Sequence, residues 1–104
     1  MTIPQRAAQI WPVLTLAARN RQVLTYPILA KLIGVPQHGL TQLLGPIQAY
    51  CLAHDLPALT ALVVGSDTGL PGAGFAGAPA DVPAEQAKVF ATDWPQCPPA
   101  EAFA

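Results

Sequence analysis

Proline limits the length of every element this chain can form. Twelve prolines and eight glycines are spread through its 104 residues, and a proline inside a helix removes a backbone hydrogen bond at a cost of about 3 kcal/mol. Helices are therefore expected to begin just before a proline and to stop at a glycine. Proline and glycine together stay below the roughly 25–30% at which low complexity becomes the expectation. With 52% hydrophobic and only 11% charged residues, the chain has the composition of one that folds. Its length allows a single core, which excludes a two-domain enzyme.

Between these marks the apolar residues show clear periods. Ile10, Val13, Leu14, Ala17 and Ala18 recur at three- and four-residue steps, predicting a helix that begins near Trp11, carries Pro12 in its first turn and runs to about Gln22. Thr25 is suited to cap a short helix with Pro27 in its first turn and Gly34 as its stop. A third helix is expected over His38 to Leu44, broken by Gly45 and Pro46, and Pro46 opens a further helix ending near His54 or Asp55. Leu59 to Val64 reads as a buried strand ended by Gly65, and Leu70 to Gly77 as its glycine-rich return, an edge strand or wing. Asp81, Pro83 and Glu85 mark a last helix start, with Val82, Ala87, Val89, Phe90 and Trp94 supplying apolar contacts. The expected fold is a small α+β domain of winged-helix type. It has three or four short helices, a short β-hairpin wing and a C-terminal helix over residues 1–94, followed by a loose tail at 95–104.

Charge is unevenly placed along the sequence. Residues 1–54 hold Arg6, Arg19, Arg21 and Lys31 with no carboxylate, whereas residues 55–104 hold Asp55, Asp67, Asp81, Glu85, Asp93 and Glu101 against Lys88 alone. Such a split hints at a polar partner. Four dispersed cations form no dense patch of the kind a strong non-specific DNA binder uses, so an ordinary solvated surface is the plainer reading. No segment reaches the ~18 unbroken apolar residues of a membrane span, so no membrane partner is expected. No cleavage site follows Ile10 to Ala18 before Arg19, and a cytoplasmic location with Cys51 and Cys97 as free thiols is the expectation.

The segment Leu24-Thr25-Tyr26, followed by Leu29-Ala30-Lys31-Leu32-Ile33-Gly34-Val35-Pro36, resembles the entry to the DNA-binding domain of the alkylguanine alkyltransferases and alkyltransferase-like proteins. Leu43-Leu44-Gly45 is similar to that family's recognition-helix signature. Leu62-Val63-Val64, with Gly69-Leu70-Pro71 after it, is similar to its strand and following glycine turn. The resemblance covers Leu24 to Gly74 and implies a winged helix that meets DNA. Two departures stand out. The family's reactive Pro-Cys-His-Arg is replaced by Leu59-Thr60-Ala61-Leu62, which removes the thiolate that accepts the alkyl group. The family's base-displacing arginine has Gln42 in its place. GPIQAYC, LPALTALVV and TGLPGAGF also resemble segments of small bacterial proteins, a similarity that brings no activity with it.

Candidate chemistry elsewhere is thin. Cys51 and His54 lie three apart on an expected helix, but a zinc site would need both Cys97 and His38 as well, without the paired spacing such sites show. A nucleophilic set of Cys51, His38 or His54, and Asp55 lacks any spacing that supplies a base or oxyanion donors. Gly72 and Gly74 form a G-x-G, yet Phe75 follows where a phosphate cradle needs Lys or Ser. No metal, cofactor or catalytic residue is therefore expected.

Two functional expectations follow. In the first, a non-catalytic module binds nucleic acid or regulates a process associated with it. Gln37, His38, Thr41 and Gln42 face base edges while Arg19, Arg21 and Lys31 meet phosphates, with weak and salt-sensitive affinity for DNA. In the second, a protein-binding adaptor or inhibitor, of the kind mobile elements carry, uses the same fold with Phe75 and Trp94 as exposed anchors.

Overall fold

The computed structural model describes residues 1–71 and 79–104. Its first helix, α1 (Ile3–Arg19), begins eight residues before the expected start at Trp11. Thr2 supplies the reason: its hydroxyl accepts from Gln5 N while the Gln5 side chain accepts from Thr2 N, a reciprocal capping box. Pro12 is thus an interior proline. The carbonyl it leaves without its usual donor is that of Ala8, and this oxygen lies 3.2 Å from the Cys97 sulfur. Burial of Ala7, Ile10, Trp11 and Leu14 along one face holds the helix through the break.

The chain leaves α1 through Arg21, whose φ of 53° is left-handed, and passes into a two-residue strand, β1 (Leu24–Thr25). Thr25 then caps α2 (Tyr26–Ile33), its hydroxyl accepting from Ile28 N, and Gly34 closes that helix at φ 82°. Both signals act where the sequence places them. A 3-10 turn at Gln37–Gly39 leads into α3 (Leu40–Ala53).

Gly45 and Pro46 do not break this helix, contrary to the sequence expectation of two separate ones. Leu40, Leu43, Leu44, Ile47 and Cys51 form one buried stripe running through both residues. Their common burial outweighs the single bond that Pro46 forfeits to the carbonyl of exposed Gln42.

The expected strand at Leu59 to Val64 is mostly a 3-10 turn, Leu59–Leu62, and only β2 (Val63–Val64) is extended. β2 pairs in parallel with β1, Leu24 opposite Val63 and Thr25 opposite Val64. Gly65 N donates to Leu70 O at 2.9 Å, and one antiparallel bridge joins Val64 to Pro71. The remainder of the expected wing, including Phe75, lies outside the described residues.

The last helix, α4 (Val82–Ala91), carries Pro83 in its first turn. Two side chains fasten it to the segment before β2: Ala58 N donates to Glu85 Oε1 at 2.8 Å, and Gln86 Nε2 to Ala61 O at 2.9 Å. Trp94 is buried rather than exposed, its indole N–H donating to Val89 O at 2.9 Å. Residues 95–104 do not hang loose. They end in a 3-10 turn, Ala100–Phe103, whose Phe103 ring sits 5.9 Å from Trp11 and 5.5 Å from Tyr50. The molecule is a small α+β domain with α1 at its centre, packed on α3, on the Leu59–Leu62 turn and on the C-terminal turn.

Candidate nucleic-acid interface

The polar candidates gather where α2 hands over to α3. Gly34 ends α2 in the left-handed conformation, and Val35 and Pro36 complete a three-residue connection to the Gln37–Gly39 turn. Gln37, His38, Thr41 and Gln42 are all exposed there. None of the four side chains has a hydrogen-bond partner among the described residues. Their donors and acceptors remain open to an external ligand.

The cations are divided between two places. Lys31 is exposed in the last turn of α2, beside the connection. Arg6, which sequence reasoning did not choose, also reaches this end: its Nη1 donates to Ile33 O at 3.0 Å and to Gln9 Oε1 at 3.1 Å. It thereby satisfies a carbonyl at the C-terminus of α2, where a cation suits the helix dipole. Arg19 and Arg21 are exposed at the other end of α1. At 1.5 Å per residue, thirteen residues of helix put Arg19 roughly 20 Å from Arg6. Base-facing and phosphate-facing candidates are brought onto neighbouring elements, but Arg19 and Arg21 stand apart from the turn.

The cysteines and histidines do not converge. Cys51 is 1% exposed, and burial pushes its thiol up, away from the thiolate. His54 is exposed and stacks on Tyr50 with ring centroids 4.1 Å apart. Among the described residues no group of three or more His, Cys, Asp and Glu is placed to hold a metal ion. Thr60 is 2% exposed and donates its hydroxyl to Gln48 Oε1 at 2.8 Å. No helix among the described residues is long and apolar enough to cross a membrane.

Sequence reasoning also missed an apolar feature. Ile28 and Leu32, one turn apart on α2, are 51% and 61% exposed. The 3.6-residue period identifies which residues share a face, but it cannot say that α2 buries only Leu29, Ala30 and Ile33. Compared with known protein families, with curated proteins and with solved structures, the chain shows no match.

Proposed function

We propose that the protein is a non-catalytic module that binds nucleic acid through the α2–α3 connection and the first turn of α3. The observation that supports this reading is the set of four exposed, unpartnered polar side chains, Gln37, His38, Thr41 and Gln42. They lie on a half of the chain that carries no carboxylate. Glutamine pairs bidentately with adenine, and threonine and histidine tolerate several base edges. Lys31 supplies a phosphate contact beside them, while Arg19 and Arg21, at the far end of α1, reach a second stretch of backbone. With so few cations, affinity is modest and falls quickly with salt.

The test is a fluorescence titration of labelled duplex and single-stranded DNA. The Arg19→Ala/Arg21→Ala variant should weaken binding to all sequences alike. Gln42→Ala should weaken the preferred sequence by about 1–3 kcal/mol and others little. Equal affinity of wild type and both variants for every strand contradicts the assignment. The adaptor reading has one of its two anchors, Trp94, committed to the core.

A further inference from the structure

Arg6 has more donors than its two bonds use. Its Nη1 donates to Ile33 O at 3.0 Å and to Gln9 Oε1 at 3.1 Å, one hydrogen for each acceptor. A guanidinium carries five N–H groups in one rigid plane, so Nε–H and both hydrogens of Nη2 are left over. None of these three has an acceptor among the described residues. They are not sealed in the core: the one buried side-chain polar atom without a partner among the described residues is Trp11 Nε1. The Nε/Nη2 edge therefore meets solvent as a two-pronged donor whose plane is already held from the other side.

The charge of this group is uncompensated. Both acceptors on Nη1 are neutral, residues 1–54 contain no carboxylate, and the only ion pair among the described residues joins Lys88 to Glu85. Arg6 is also partly buried, and a partly buried cation is screened by salt less than one on an open surface. Two parallel N–H groups on a held guanidinium match two oxygens of one oxyanion. Such charge-assisted bonds are about twice as strong as those between neutral groups. Because the two Nη1 bonds fix the fork beforehand, little freedom remains to be lost when the anion arrives.

We infer that the Nε/Nη2 edge of Arg6 is the seat of a phosphate group, with Nε–H and one Nη2–H each donating to a phosphate oxygen. The choice of phosphate over carboxylate rests on the nucleic-acid reading above. Ile33, whose carbonyl holds the guanidinium, is four residues from Gln37, a span of at most roughly 14 Å. The phosphate thus lies close to the side chains assigned to base edges, and Arg6 adds about 0.9 to the steepness of the salt dependence set by Lys31, Arg19 and Arg21. A free phosphate ion presents the same oxygens as a nucleic-acid backbone, so the two sources need separate measurements.

Nuclear magnetic resonance of the arginine Nε–H groups of the full chain, titrated with inorganic phosphate at constant ionic strength, tests the site without any nucleic acid. The Arg6 signal should shift and saturate at roughly 1–10 mM phosphate. Those of Arg19 and Arg21, whose exposed side chains have no partner among the described residues, should drift without saturating. Acetate should bind at least roughly fivefold more weakly. An Arg6 signal that moves no further than that of Arg19, or that acetate saturates as well as phosphate, overturns the inference. The second arm repeats the DNA titration with Arg6→Gln, first shown to be folded by circular dichroism. Glutamine keeps an amide donor for Ile33 O but removes the charge and the fork, so affinity should fall roughly threefold to tenfold for all sequences alike. DNA affinity left unchanged by the folded variant contradicts a backbone phosphate at Arg6. A saturating Arg6 signal in a protein that binds no DNA upholds the site with free phosphate as its ligand while the nucleic-acid reading falls, so the two fail separately.

Discussion

The Cys97 sulfur lies 3.2 Å from the carbonyl oxygen of Ala8, the group that Pro12 leaves without a helical donor. A residue 89 positions away thus brings a donor to a carbonyl that the helix cannot satisfy for itself, shared with the carbonyl of Pro98 at 3.3 Å. A thiol is a weak donor, so Cys97→Ala should cost about 0.5–1 kcal/mol in urea denaturation. Pro12→Ala restores the backbone donor and should stabilise by about 1–3 kcal/mol. The sharper expectation is coupling: in the Pro12→Ala background, Cys97→Ala should cost measurably less. Additive effects would show that the thiol does not serve this carbonyl.

Phe103 closes the aromatic cluster. Trp11 meets Tyr50 and Trp94 edge-on at 5.4 and 5.7 Å, and Phe103 covers both Trp11 and Tyr50. Truncating a buried phenylalanine leaves a cavity in such a cluster, and Phe103→Ala should destabilise by about 3–5 kcal/mol. Thermal unfolding monitored by tryptophan fluorescence measures it. A shift of less than about 1 kcal/mol would mean that the C-terminal turn is not docked in solution.

Gly34 is the left-handed stop of α2, with φ of 82° and nothing within 4 Å of where a Cβ would stand. Space is therefore not limiting, but conformation is. Gly34→Ala should cost about 1–2 kcal/mol, and Gly34→Asn less, because asparagine tolerates this region better. Urea midpoints for the two variants give the comparison.

The two thiols should differ in reaction, although burial raises both above their ordinary value. Cys97 is exposed and Cys51 buried, so iodoacetamide should label Cys97 in the native protein and Cys51 only after unfolding. Burial holds the Cys51 thiol above its ordinary value of 9.0. The unfolded chain therefore releases this proton first. Its contribution to stability is complete below the ordinary value and is lost as pH climbs from there through the raised one. Denaturation midpoints should fall with alkali in wild type, and Cys51→Ala should flatten that fall.

Much of the fold was legible because its signals are local. Thr25, Pro27 and Gly34 bound α2 through contacts within a few residues, and Pro83 marks the start of α4 in the same way. What the sequence concealed depends on distant partners. Pro12 and Pro46 mark boundaries by their own chemistry, but Cys97 and a buried stripe through Ile47 override them. Val63 and Val64 announce a strand, yet only the parallel pairing with Leu24 and Thr25 limits it to two residues. Trp94 and Phe103 sit in segments rich in proline, where composition suggests exposure, and the aromatic cluster on Trp11 draws both inside. The polar set at Gln37 to Gln42 was legible because exposure at a helix entrance follows from residue type. The apolar corner at Ile28 and Leu32 was not, since nothing local distinguishes an uncovered apolar face from a buried one.

The salt dependence of DNA affinity bears most directly on the proposed role of the α2–α3 surface. With Lys31, Arg19 and Arg21 on phosphates, the logarithm of the association constant should fall with the logarithm of salt at a slope of about −2.7, a roughly 40-fold loss between 50 and 200 mM. Lys31→Ala should make that slope shallower by about one. A wild-type protein with no detectable DNA binding at 50 mM salt, or with a slope near zero, would contradict it.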